Sequence, residues 1–218
     1  MIALFDLDGV ITDTESQYSL FWNRMGKDYL GLEDFGKTIK GQTLFQIFGK
    51  YYDGMLKEQA EIVEQLDEFE RNMSYEYIPG VHEFMTGLKE AGVPMAIVTS
   101  SNEPKMKNVR KAHPELWELT DAVLTSEHFS RSKPDPECFL KGMEILGGAP
   151  EDTYVFEDSL HGINAGRASG AHVIGLATTN PRETIEPLCE TVIDNFIGFS
   201  LNCIVERILL TFKNLAGY

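Results

Sequence analysis

Two aspartates stand one residue apart, Asp6 and Asp8, at the end of the apolar run Ile2-Ala3-Leu4-Phe5, and Gly9 follows them. Residues two apart on a strand point to the same side, so both carboxylates can converge beyond the strand's end. Like charges this close repel, so one holds a proton or both need a cation. Such a pair suits a site where one carboxylate attacks and its neighbour carries protons. Gly9 permits a sharp turn or a close backbone approach to a ligand. An Asp-Gly turn between two strands would look the same on these residues alone.

The rest of the chain decides between them. Thr99-Ser100-Ser101-Asn102 directly follows Ala96-Ile97-Val98, and Lys133 sits in Ser132-Lys133-Pro134-Asp135-Pro136. Glu157-Asp158-Ser159 directly follows Tyr154-Val155-Phe156. Singly, each is ordinary: a helix cap, a loop lysine, another cap. Together, on one sheet rim, they unite two aspartates, a hydroxyl, a lysine and a second acidic pair. Carboxylates in oxygen-rich surroundings suit Mg²⁺. The hydroxyl and the lysine donate to an anion. The set therefore predicts a phosphoryl-transfer site, in which metal and lysine offset phosphate charge while a carboxylate attacks.

Elements must position these groups. Apolar runs predict strands at 2–6, 94–99, 121–125, 153–157, 172–176 and 191–194. Helical patterns at 81–91, 103–112, 136–147 and 160–169 alternate with them. Such alternation implies a parallel sheet covered on both faces. In open α/β sheets of this kind, ligands bind beyond the strands' C-terminal ends. Between Glu15 and Tyr77 apolar residues recur at helical spacing instead, as in Leu20, Phe21 and Met25 or Ile62, Leu66 and Phe69. Glycines 26, 31, 36, 41, 49 and 54 punctuate this block, and its acidic stretch Glu58–Arg71 reads as a solvated helix face. The expected fold is α/β: a Rossmann-like parallel sheet core over 1–14 and 79–218, with an inserted α-helical cap domain over 15–78.

Composition narrows the partners. The 218 residues hold 19 basic and 34 acidic side chains, a net charge of -15. Such a surface repels nucleic acid and anionic membranes. It also repels a phosphorylated substrate at long range, so an anion site needs local positive charge. Three cysteines without metal-ligand spacing, and an N-terminus that runs straight into a strand, predict a reduced cytoplasmic protein. No apolar run reaches membrane-spanning length, and no heptads or symmetric patch appear, so a monomer is expected.

The strings FDLDGVITDT, VTSS, SKPDPECF and VFEDSLHGINAGRASG resemble the four signatures of the haloacid dehalogenase superfamily. The helical insert after the first of them is similar to the beta-phosphoglucomutase and sugar-phosphate phosphatase branch, and the resemblance spans about 2–195. It implies Asp6 as the nucleophile that becomes an aspartyl-phosphate, and Asp8 as general acid and then base. Thr99 and Lys133 would hold the transferred phosphoryl oxygens. Asp6, the carbonyl of Asp8, and Asp158 would ligate Mg²⁺, with Glu157 acting through water or orienting the site. Backbone amides around Leu7, Asp8 and Ser100 would help cradle the phosphate, and Gly9 is a candidate for close approach to the substrate. The cap would close on hinges near Thr12–Ser16 and Ser74–Gly80. Dehalogenases lack the second aspartate and the metal carboxylates, both present here.

Within that branch, a beta-phosphoglucomutase holds a second phosphate with an arginine of the cap loop. That loop here reads Ile39-Lys40-Gly41-Gln42-Thr43-Leu44, with Leu44 where the arginine is expected. The cap-side histidine is also absent from Glu15-Ser16-Gln17-Tyr18. Burying a second phosphate dianion beside Lys40 alone would be costly. A phosphatase of a small phosphorylated metabolite, a sugar or polyol phosphate, is therefore expected. A phosphomutase and a non-catalytic phosphometabolite-binding protein are the alternatives. Lys40, Gly41, Gln42 and Thr43 are the candidates for contact with the leaving group, joined by Ser101 and Asn102 from the core.

Overall fold

The computed structural model describes residues 1–40 and 42–204. Six strands form one parallel sheet: β1 Ile2–Phe5, β2 Met95–Val98, β3 Ala122–Leu124, β4 Thr153–Glu157, β5 His172–Leu176 and β6 Thr191–Ile193. Their order is β3-β2-β1-β4-β5-β6. The chain leaves β1 toward β2 on one side and returns to its other flank as β4. A crevice therefore opens beyond the C-terminal ends of β1 and β4, where adjacent connections diverge.

Both faces of the sheet are covered, which is why its strands read as continuous apolar runs. Alternation along each strand divides the residues between two cores. Ala3 and Phe5 of β1, Met95 and Ile97 of β2, and Tyr154 and Phe156 of β4 face one cluster. That cluster is completed by α5 Val81–Glu90, α6 Glu103–Ala112 and α7 Leu116–Leu119, through Phe84, Met85, Leu88, Met106, Val109 and Leu116. Ile2, Leu4, Ala96, Val98 and Val155 face the other. There α8 Glu137–Leu146 and α9 Leu160–Ala168 contribute Cys138, Phe139, Met143 and Ile163. The short α10 Arg182–Ile185 lies near the sheet's far edge.

Between β1 and α5 the chain is helical, with α1 Glu15–Met25, α2 Phe35–Thr38, α3 Leu44–Tyr51 and α4 Leu56–Asn72. These helices have their own buried cluster, including Phe21, Trp22, Met25, Phe35, Ile47, Tyr52 and Ile62. Gly26 does not break the first helix as punctuation would. A π-helical turn, Gly26–Leu30, carries it on. A side chain at Gly26 would overlap the ring-bearing Cβ of Phe35, so the glycine is there for close packing. The two connections to the sheet lie side by side. The Asp13 N–H donates to the carbonyl of Glu76, and the Gln17 side chain pairs with the backbone of Ser74. The stretch Glu58–Arg71 is not wholly a solvated face. Glu70 is buried, and it accepts a hydrogen bond from the Tyr18 hydroxyl at 2.7 Å. Among the described residues no helix is long and apolar enough to cross a membrane.

Candidate active site

Each expected group sits where its strand ends. Asp6 follows β1, Thr99 follows β2, Glu157 closes β4 and Asp158 follows it. Lys133 comes from the loop before α8 and fills the gap between them. Its ammonium is buried and donates to Asp6 Oδ1 at 2.7 Å, Glu157 Oε1 at 2.7 Å and the Val98 carbonyl at 3.1 Å. Burial alone would lower the pKa of Lys133, but the charges of Asp6 and Glu157 outweigh it and hold it above its ordinary value.

Asp6, Glu157 and Asp158 each offer a carboxylate oxygen, and these lie within 4.8 Å of one another, all buried. Burial is the main reason Asp6 is pushed up to about 7. Lys133 opposes the rise, while Glu157 and Asp8 add to it. Asp158 is raised too, by burial first and then by the negative charge of Glu157, Glu15 and Asp6. Buried carboxylates that repel one another so strongly call for a cation. Oxygen donors of this kind fit Mg²⁺.

Glu157 contributes differently from Asp158. Its Oε1 serves Lys133, and its Oε2 accepts from the backbone N–H groups of Asp158 and Ser159 and from the Ser159 hydroxyl. Both oxygens are engaged within the protein, so Glu157 fixes the turn that aims Asp158. Gly9, a candidate for substrate contact, is set back from the cavity. It lies outside the cavity lining, with φ at 77°, and any side chain there would overlap the Asp158 carboxylate. Its smallness is what admits Asp158.

Asp8 turns away from this trio. Lys105 Nζ contacts both its oxygens, at 2.6 and 2.5 Å. Ser101 donates to Oδ2 at 3.0 Å, and the Thr14 hydroxyl donates to Oδ1. Burial raises the pKa of Asp8, but the Lys105 charge and these hydrogen bonds prevail and hold it below the usual carboxylate value. Two aspartates two residues apart thus titrate in opposite directions, which separates their chemical roles.

One cavity of about 410 Å³ joins sheet rim and helical insert. Asp6, Asp8, Thr99, Ser100, Ser101, Asn102, Lys133, Glu157 and Asp158 line it from below. Lys40, Gln42 and Thr43 line it from above; Gly41 lies outside the described residues. Several of these also have structural duties. Thr43 caps α3 by accepting from the Gln46 N–H, and Asn102 caps α6 by accepting from the Lys105 N–H. Thr99 Oγ1 accepts from the Ser101 N–H. Lys40 crosses to the core and donates to the Thr179 carbonyl at 3.2 Å.

Sequence reasoning missed Lys105, Thr14, Glu15, Tyr18 and Glu70. Glu15 opens α1 over the cavity and lies 3.9 Å from Lys40. Its pKa is pushed up to about 7, chiefly by burial and then by Asp8. A signal for Lys105 existed. It stands in the first turn of α6, where the helix dipole disfavours a cation, and a buried partner explains its place.

The model of the haloacid dehalogenase-like hydrolases matches residues 3–176. The chain is 31% identical to hexitol phosphatase A of Escherichia coli (strain K12), over 83% of this chain and 84% of that one. It is 28% identical to a beta-phosphoglucomutase of Mycobacterium bovis, over 81% of each. A family IA hydrolase of the same superfamily from Entamoeba histolytica superimposes with a TM-score of 0.81, at 21% identity, over 95% of this chain and 98% of that one.

Proposed function

Because the chain belongs to the haloacid dehalogenase-like hydrolases and is an enzyme of the phosphatase kind found among them, we propose that it is a Mg²⁺-dependent phosphatase of a sugar or polyol phosphate, working through an aspartyl-phosphate on Asp6. The observation that carries this reading is the cavity in which Asp6 meets Lys133 and Asp158 on one side and Asp8 on the other. Asp6 and Asp158, with the Asp8 carbonyl, would hold the ion, which supplies charge compensation to the carboxylates and the transferring phosphoryl group.

A carboxylate oxygen of Asp6 attacks phosphorus, and the bond from phosphorus to the leaving oxygen breaks. Asp8 gives the leaving oxygen its proton. Asp8 is ionised in the arrangement described, so that proton first enters with the substrate, carried by the phosphate monoester monoanion. Water then attacks the phosphorus of the aspartyl-phosphate and the bond from phosphorus to Asp6 breaks, Asp8 takes a proton from the water, and that proton leaves with the inorganic phosphate, so both carboxylates are restored. Thr99 and Lys133 donate to the phosphoryl oxygens. The helical cap closes over the cavity and excludes bulk water.

The cations lining the cavity favour hydrolysis over mutase chemistry. Lys40, Lys105 and Lys133 each already have a carboxylate within 4.0 Å: Glu15, Asp8, and Asp6 with Glu157. Among the described residues that line it, that leaves at most Lys40, at the longest of these separations, to meet a second phosphate. The test is release of inorganic phosphate from hexitol phosphates, hexose 6-phosphates, glucose 1-phosphate and pyrophosphate, with Mg²⁺ and with excess chelator. Steady metal-dependent release from the polyol or sugar esters is expected. Interconversion of glucose 1- and 6-phosphate without net release would establish the mutase instead.

A further inference from the structure

Asp8 has a buried cation of its own. Lys105 reaches both of its oxygens, while Ser101 and Thr14 each hold one. Three donors, two from the β2–α6 connection and the first turn of α6 and one from the start of the helical insert, therefore fix the carboxylate's position and its rotation. The lysine itself is locked. Its backbone N–H is held by the Asn102 cap at 3.0 Å, and its side chain is only 3% exposed. The ammonium lies 4.4 Å from the centre of the Tyr18 ring, a cation–π distance. Tyr18 belongs to the cap, so the seam between cap and core closes around this one charge.

Placing a lysine in the first turn of a helix opposes the dipole, and burying its charge is unfavourable without a partner. Asp8 supplies that partner, and the carboxyl trio does not involve its side chain. Lys133 does the corresponding work for Asp6. We propose that Lys105 is a positioning residue that orients the Asp8 carboxylate toward the leaving oxygen, an inference that rests on the reading of Asp8 as the proton carrier.

A residue that acts through Asp8 matters most when the leaving group needs a proton. Measure kcat/KM of Lys105→Met on glucitol 6-phosphate, whose alkoxide leaves poorly, and on 4-nitrophenyl phosphate, whose phenolate leaves unaided. The quantity covers only the steps up to departure of the leaving group. Well-oriented proton transfer is worth about 10²-fold or more. A fall of about that size on the alkyl ester is expected, with less than about a tenfold fall on the aryl ester. Equal falls on both, or none, overturn the proposal. If Lys105→Met does not fold, Lys105→Gln is judged by the same ratio. Asp6→Asn is assayed alongside. Undiminished turnover by Asp6→Asn rejects the aspartyl-phosphate reading itself, whereas an inactive Asp6→Asn with equal falls for Lys105→Met rejects only the role of Lys105.

Discussion

Asp6 and Asp8 are two residues apart, yet they occupy different electrostatic regions. Asp6 lies on the sheet rim among buried carboxylates, shares Lys133 with Glu157, and is driven up to about 7 chiefly by burial. Asp8 lies in the seam between core and cap, with Lys105 on both of its oxygens and two hydroxyl donors, and is held below its ordinary value. One lysine divided between two carboxylates leaves a deficit that a divalent cation can fill. One lysine bonded to both oxygens of a single carboxylate leaves none at that carboxylate. The proposed division of labour between a nucleophile and a proton carrier matches this distribution of positive charge.

The comparison breaks most severely at the nucleophile. Asp6→Asn is expected to lower kcat by about 10⁴-fold or more, because removing an attacking group disables the whole catalytic unit. Next comes Asp8→Asn, expected to cost about 10²–10⁴-fold, with the larger losses on alkyl rather than aryl phosphates. Steady-state assays on both ester classes check the two together; equal sensitivity of the Asp8 variant to either class would erase the distinction between the regions.

Gly9→Ala sharpens the comparison from the metal side. Its new methyl group meets the Asp158 carboxylate at a backbone angle that side chains rarely adopt. The half-saturating Mg²⁺ concentration is expected to rise about 10–100-fold, as for groups that orient metal ligands. Stability should fall by about 1–3 kcal/mol from the strained backbone. Titration of activity with Mg²⁺, alongside chemical denaturation, reads both effects.

The smallest effect concerns Glu15, whose pKa is raised to about 7 by burial and by Asp8. The unfolded chain loses this proton near the ordinary glutamate value, whereas the folded protein keeps it until about 7. Across that interval the unfolded state binds fewer protons, so stability declines as pH rises through it. Glu15→Gln removes the decline. Its Tm is expected to exceed that of the parent by about 2–4 °C at pH 8 and to match it near pH 4. Thermal melts across that range measure the difference.

How much of this was legible follows the same divide. The rim groups were readable because each of Asp6, Thr99 and Glu157-Asp158 directly follows an apolar run, and a parallel sheet collects such ends on one edge. All six strands fall within the predicted spans, and helix ends differ by a residue or so. The seam was harder to read. Lys105 lies inside Glu103-Pro104-Lys105-Met106-Lys107, where two lysines at nearby positions look equally solvated. The first-turn position of Lys105 is the one hint of a partner, and only the packing of α1 and α4 over α6 shows which carboxylate it meets. Glu70 was hidden in an acidic stretch for the same reason, since its partner Tyr18 is 52 residues away. Gly9 was read as making room for a ligand, and the room it makes is for Asp158. Contacts within a strand-end motif can be read from spacing, whereas contacts between separately folded layers cannot.

In the proposed reaction Asp6 is transiently esterified while Asp8 moves protons. Acid quenching of the enzyme during turnover with Mg²⁺, followed by peptide mass spectrometry, addresses it directly. A phosphoryl group is expected on the N-terminal peptide, localised to Asp6 and absent when chelator replaces Mg²⁺. A phosphoryl group on another residue, or turnover with no phosphorylated peptide together with an active Asp6→Asn variant, would contradict it.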